Sequence, residues 1–456
     1  MVSIALGQMR RRPAAFVGLA AALLLAIAAV TLFGSLIAAQ AAAPAAARKT
    51  VAGPGVMVIA GAFGEIAVLV SFFVVVNALG FALRQQHREL ALLRTIAATP
   101  RQARRLARGQ VLATTLLVAV PAWALGAVSA RWFLAALQRR GMAAPGVRVP
   151  GSPVPILVAV AAALVVGLVA SAVAARRISR ISPAAALTAS STEQGRTGVL
   201  RLLAGTGALV GGGLLLRLTA TRSVEDLDKA AQAALLGALV LLVAAALLGP
   251  LMTRVLVAVL GAPIRLLAPG AGWLADANTR GYARRLSSAV VPVALLVGLS
   301  GTMSIMTSTA GHAARASAGS VTSATDVWLR QAELGLLICF ATVSTVNTLV
   351  AVTAERRREF ALLRLVGATR GLLMRMLGAE AVLTAALGVL LGSAVAGAAS
   401  AAFSRAVTGS AVPSVPVGAC GWIAAGAVAL TVPGILVTGL RAVAGPATEL
   451  AGDGRD

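Results

Sequence analysis

The stretch Asn347 to Thr369, NTLVAVTAERRREFALLRLVGAT, has a near copy 270 residues earlier, NALGFALRQQHRELALLRTIAAT, from Asn77 to Thr99. At that one offset, without a gap, Asn77 falls on Asn347, Arg88 on Arg358, Glu89 on Glu359, Arg94 on Arg364 and Thr99 on Thr369. An ungapped match of this length marks an internal duplication, so the fold must contain one unit twice. Each copy leaves an apolar run, passes through a polar, basic knot and becomes a short apolar segment. In the second copy that segment breaks at Gly367 and restarts at Thr369.

The apolar runs set the environment of both units. Hydrophobic residues make up 59% of the 456 residues and charged ones 12%, against about 25% charged in ordinary soluble domains. Mean hydropathy is +0.90. The net charge of +25 would suggest nucleic acid in a soluble protein. Here the arginines stand between apolar runs, where the positive-inside bias and anionic membrane lipids account for them, so no nucleic-acid partner is expected. Cys339 and Cys420 lie in or beside apolar runs and are expected to pack there, with no disulfide or metal site.

Ten apolar stretches are long enough to cross a bilayer: about 14–39, 56–83, 110–137, 154–175, 199–218, 233–256, 288–309, 327–352, one opening near Leu377, and 422–440. The first has the charged start of a secretory signal, but its apolar run exceeds a typical h-region and reads as a retained helix. The layout is one plus three spans, two connecting spans, and the same unit again. Ten crossings put both termini on one side, and the arginine-rich loops put that side in the cytoplasm. The loop with Arg139, Arg140 and Arg148 is the exception. No outer loop is long enough for a large extracellular domain.

Candidate functional residues fall in two groups. Glu65, Glu333 and Glu380 are carboxylates inside or at the mouth of spans, where ionisable groups are costly and mark function. Arg330, one turn before Glu333, is its expected partner, and Glu380 aligns with Gln110. The other group is the repeated stretch itself. Phe360, Leu362, Leu363, Leu365 and Val366 make a helix too apolar for water and too short to span. Such a helix should be wedged between lipid, neighbouring spans and a protein partner. The adjoining arginines also suit simple anchoring to lipid headgroups. A P-loop needs a lysine after glycine, and the two lysines, Lys49 and Lys229, follow Arg48 and Asp228. His87 and His312 fall in predicted loops on opposite sides. No catalytic, cofactor-binding or metal-ligating constellation emerges, and the chain is not expected to be an enzyme.

The segment ERRREFALLRLVGAT, leaving one span and leading into the next, resembles the signature of the FtsX-like permease family, the membrane subunits of MacB-, LolC- and BceB-type ABC transporters. The second copy is close to that pattern; the first departs from it at Gln85, Gln86 and His87. The resemblance implies an all-α polytopic membrane protein in a bacterial cell membrane. Two four-helix FtsX-like units, 1–190 and 286–456, would be joined by two connecting helices within 191–285. It implies a separate ATPase subunit, two copies per permease chain, gripping Arg88, Glu89, Leu93 and Arg94 in one unit. In the other it would grip Arg357, Arg358, Glu359, Phe360, Leu363 and Arg364. The expected function is export or extraction of a lipid, lipoprotein or peptide. The alternatives are a signal transmitter driving an outer partner such as a cell-wall hydrolase, and a secondary transporter.

Overall fold

The computed structural model describes residues 13–44, 55–85, 100–179, 199–222, 227–267, 283–316, 324–354 and 357–443. Among them the chain forms helices and no strands, in the order α1 (Pro13–Ala42), α2 (Gly55–Gln85), α3 (Pro100–Arg139), α4 (Val154–Ser179), α5 (Val199–Ala220), α6 (Leu227–Leu267), α7 (Ala283–Ala316), α8 (Ala324–Ala354), α9 (Arg357–Leu365), α10 (Arg370–Thr408) and α11 (Val417–Val443). Among the described residues nine helices are long and apolar enough to cross a membrane, and Val154–Val169 of α4 is a shorter apolar one. The chain is an all-helical, multi-pass membrane protein. Helices suit this composition because a bilayer offers no water to backbone groups, so each segment must satisfy its own.

The duplication is visible in the element boundaries. α7 begins 270 residues after α1, α10 begins 270 after α3, and α8 is one residue out of step with α2. The fourth helices lose the offset because the loop over 409–416 is shorter than that over 140–153. α3 and α10 have 40 and 39 residues. At 1.5 Å per residue each is about 60 Å long, more than the roughly 45 Å of a whole bilayer. The apolar span of α3 starts at Arg108, so its first turns, with Arg101, Arg104 and Arg105, extend beyond the apolar span.

The chain divides into two compact units, Met1–Thr192 with Ala324–Leu336, and Glu193–Ser323 with Leu337–Asp456. In the first, α1 packs along α2, α3 and α4. A Cβ built on Gly126 of α3 would lie 2.6 Å from the Ala28 carbonyl oxygen of α1, so only a glycine lets these backbones come so close. Phe33, Phe63 and Phe133 meet nearby with ring centroids 6.0–6.3 Å apart, and Trp328 adds to them 5.4 Å from Phe133. The Arg140 guanidinium lies 4.1 Å from the centre of the Trp328 ring and also donates to the Ala136 carbonyl at the end of α3.

In the second unit α7 packs along α10, and α5 pairs with α6. Gly388 and Gly392 of α10 admit Val293 and Val297 of α7. Hydroxyls buried in these spans bond back along their own helices. Thr302 donates to Gly298 O at 2.6 Å, Thr348 to Ser344 O at 2.8 Å and Thr431 to Ala427 O at 2.7 Å.

Two expectations change. His312 is helical, in the last turns of α7, with Nδ1 2.8 Å from Ser308 O and 3.0 Å from Ser414 Oγ. The helix outruns its apolar stretch because small residues up to Ala316 do not stop it. Cys339 is exposed on α8 and Cys420 half-buried on α11. An apolar run buries one face in protein and leaves the other for lipid, and Cys339 shares the outward face with Gly335, Ile338 and Val346.

Candidate functional site

Within the second copy of the repeated stretch lies α9, followed by a turn at Val366 and Gly367. Its nine residues carry Glu359 in the first turn and Arg364 in the last, the charge order that complements a helix dipole. The helix ends at Gly367, whose φ of +106° places it where a side chain is strained. The Ala368 amide donates to Leu363 O at 2.9 Å and the Gly367 amide to Arg364 O at 3.0 Å, the paired bonds of a Schellman cap. Thr369 then caps α10, its hydroxyl accepting from the Leu372 amide at 3.2 Å. Glycine and threonine therefore make a rigid corner in which few backbone groups are left to solvent.

One face of α9 is seated in the second unit. Phe360 is fully buried, as is Ala361. Phe360 joins Leu349 of α8, Leu373, Met376, Leu377 and Ala381 of α10, and Ile435 of α11 in one apolar cluster; Leu363 and Ala368 pack on its edge. Burying a phenylalanine of this kind contributes about 2–3 kcal/mol, enough to hold a short helix that would not persist alone. The opposite face is open: Leu362 and Leu365 are about half exposed and Val366 is 89% exposed. Glu359 and Arg364 are half-buried between the two faces, and neither is without a partner.

The structure brings Glu359, Phe360, Leu363 and Arg364 together on this corner. Arg357 and Arg358 lie in the first turn of α9, with side chains outside the described residues. Arg88, Glu89, Leu93 and Arg94, the first copy, also lie outside the described residues.

The three intramembrane carboxylates have different surroundings. Glu380, about three turns after the α10 cap, is 6% exposed, and its counterpart Gln110 is 2% exposed. In both units the threonine one turn on donates to the backbone carbonyl of this residue at 2.7 Å, Thr384 to Glu380 and Thr114 to Gln110. Glu333 is 7% exposed in the part of α8 that belongs to the first unit; the Arg330 side chain lies outside the described residues. Glu65 is exposed on α2, within an outward stripe of Met57, Val58, Gly61, Val68, Phe72 and Val76. Among the described residues no group of three or more His, Cys, Asp or Glu side chains could hold a metal ion.

Sequence reasoning missed how α9 is seated. Leu349 lies near the start of the same stretch, at the end of α8, but Ile435 comes from α11, far from the repeat, and only the apolar character of both was legible. The polar contact of Arg201 with α6, described below, also escaped it. Its signal was Pro250 inside an apolar run, which announces a carbonyl in need of a donor.

Compared with known families, residues 61–183 and 333–445 match the model described as FtsX-like permease C-terminal, just over half of the chain. The two matched segments hold the two copies of the repeated stretch. No curated protein matches the chain.

Proposed function

Because the chain belongs to the FtsX-like permease family, whose members are membrane subunits of ABC transporters, we propose that it couples ATP hydrolysis by a separate ATPase to movement of an amphipathic substrate. The substrate class is a lipid, lipoprotein or peptide, extracted or exported from a bacterial cytoplasmic membrane. The observation that carries the coupling role is the two-faced packing of α9. Phe360 roots the helix in the bundle while Leu362, Leu365 and Val366 remain uncovered. A helix that only anchored to headgroups would need arginines, and would need neither a buried aromatic root nor a capped corner into the next span. With Phe360 rooted and Thr369 capping α10, a push on the open face is passed to a long helix.

An apolar stripe on α2 interrupted by one carboxylate suits a substrate that is itself apolar with a polar group, and so favours handling within the bilayer over a signalling stalk. Both termini are cytoplasmic in this reading, and α9 faces the ATPase. Each duplicated unit offers one gripping stretch, so one permease chain serves an ATPase dimer.

The test is charge reversal. Glu359→Lys or Arg364→Glu should leave the protein in the membrane yet abolish stimulation of the co-purified ATPase. Variants that insert and stimulate like the unaltered chain would return α9 to the role of lipid anchor.

A further inference from the structure

α5 and α6 form a tight antiparallel pair within the second unit. Gly205 lies against Leu248, Gly212 against Leu241 and Gly237 against Leu216; a Cβ on any of these glycines would come within 2.6–2.8 Å of the facing leucine side chain. The register is constant along the seam, and Arg201 stands on the same face of α5 as Gly205, Gly212 and Leu216. α6 carries Pro250 inside its length. Proline has no amide hydrogen, and its ring crowds the carbonyl four residues back, which here is Ala246. In a bilayer that freed carbonyl has no water to turn to.

Arg201 supplies the donors. Its Nη2 donates to Ala246 O at 3.0 Å and its Nε to Leu247 O at 2.9 Å. The fork of one guanidinium thus spans two successive carbonyls at the break. An arginine in an apolar helix is expensive, and a proline in another leaves an acceptor bare; each offsets the cost of the other. The third neighbour is α7. Gly249 meets Ser287, whose Cβ would be 2.9 Å from an added Cβ, and Thr253 closes the next turn by donating to Gly249 O at 2.8 Å.

We propose that Pro250 is a hinge in α6 and that Arg201 is the latch that holds it in one bend. With the guanidinium on Ala246 and Leu247, α6 keeps its angle against α7. When the guanidinium leaves, the bend is free to change, and α7 feels the change first through Gly249 and Ser287. The inference rests on side-chain geometry within one unit and needs no ATPase, so it stands or falls apart from the transport reading.

The experiment is a double-mutant cycle on the full chain in lipid nanodiscs, with Arg201→Gln, Pro250→Leu and both together, read by hydrogen exchange of peptides covering 240–256. Arg201→Gln alone should speed exchange there about tenfold, the worth of a charged hydrogen bond. In the Pro250→Leu background the same change should do nothing, because the leucine amide restores the helical donor to Ala246. Equal effects in both backgrounds would make Arg201 a headgroup anchor and overturn the latch, as would no effect in either. If Arg201→Gln fails to accumulate, accumulation of the double variant supports the latch, and its failure overturns it.

Discussion

Gly126 lies against Thr31 so closely that a Cβ on the glycine would sit 2.8 Å from the threonine Cβ. At the 270-residue offset the sizes are exchanged. Ala396 stands at the position of Gly126, and it faces Gly301 at the position of Thr31, with an added Cβ at 3.2 Å. The duplicated units thus keep one small residue at the same crossing, on opposite helices. Association of helices in lipid depends on such close approach, because apolar side chains gain nothing by leaving apolar lipid. What is retained is the volume at the seam, which tolerates exchange better than excess.

The first prediction follows. Gly126→Ala should destabilise the protein by about 1–3 kcal/mol through overpacking. Adding Thr31→Gly, which copies the second seam, should recover the part of that loss owed to the threonine side chain, while the contact with the Ala28 carbonyl oxygen remains. Thermal unfolding in detergent is the measurement. A double variant no more stable than Gly126→Ala alone would show that the exchange of sizes is incidental.

The corner after α9 gives the second. Gly367 has a φ of +106°, so Gly367→Ala should cost about 1–2 kcal/mol, confined to the α9–α10 turn. Gly371→Ala is the control. It lies in the first turn of α10 with open space around it, and alanine should be neutral or up to about 1 kcal/mol stabilising there. Hydrogen exchange of peptides over 360–375 should separate the two. Equal exchange would mean that the cap does not hold the corner.

The carboxylates give a third. A lipid-soluble carbodiimide reacts with carboxyl groups that it reaches from the bilayer. Glu65, on the open stripe of α2, should take the label. Glu333 and Glu380, more than nine-tenths buried, should stay unlabelled until the protein is unfolded. Peptide mass spectrometry reads the result, and label on Glu380 but not on Glu65 would reverse the assignment.

Topology gives a fourth. Gly371 and Gly409 bracket α10 at its two ends. A cysteine at Gly409 should react with an impermeant thiol reagent on intact cells, and one at Gly371 only after permeabilisation. The opposite pattern would invert the orientation proposed from the arginine-rich loops.

Stoichiometry gives the fifth. The complex should contain one permease chain per ATPase dimer, read as the mass of the purified assembly. Charge reversal at Glu359 should harm coupling more than reversal at Glu89, because the first copy carries Gln86 and His87 where the second carries Arg356 and Arg357. Two permease chains per dimer would overturn the first claim, and a larger defect at Glu89 the second.

The sequence by itself determined the helical class, the duplication and the α9 corner, because each is written locally. Apolar runs of spanning length admit only helices in lipid. A shared offset needs no coordinates, and Gly367 with Thr369 specifies a stop and a start through backbone conformation alone. It also supplied the family, through the run from Glu355 to Thr369. Only the tertiary structure decided which faces are covered. The run of Phe360, Leu362, Leu363, Leu365 and Val366 reads as uniformly apolar, and packing against α8, α10 and α11 splits it into a root and an open face. Glu65 and Glu380 look alike as carboxylates near spans, yet one is exposed and the other buried. Arg201 reads as one more basic residue near an apolar run until α6 brings Ala246 and Leu247 beside it. Burial and pairing depend on the angle at which helices meet, and that angle is set by contacts between residues far apart in the chain.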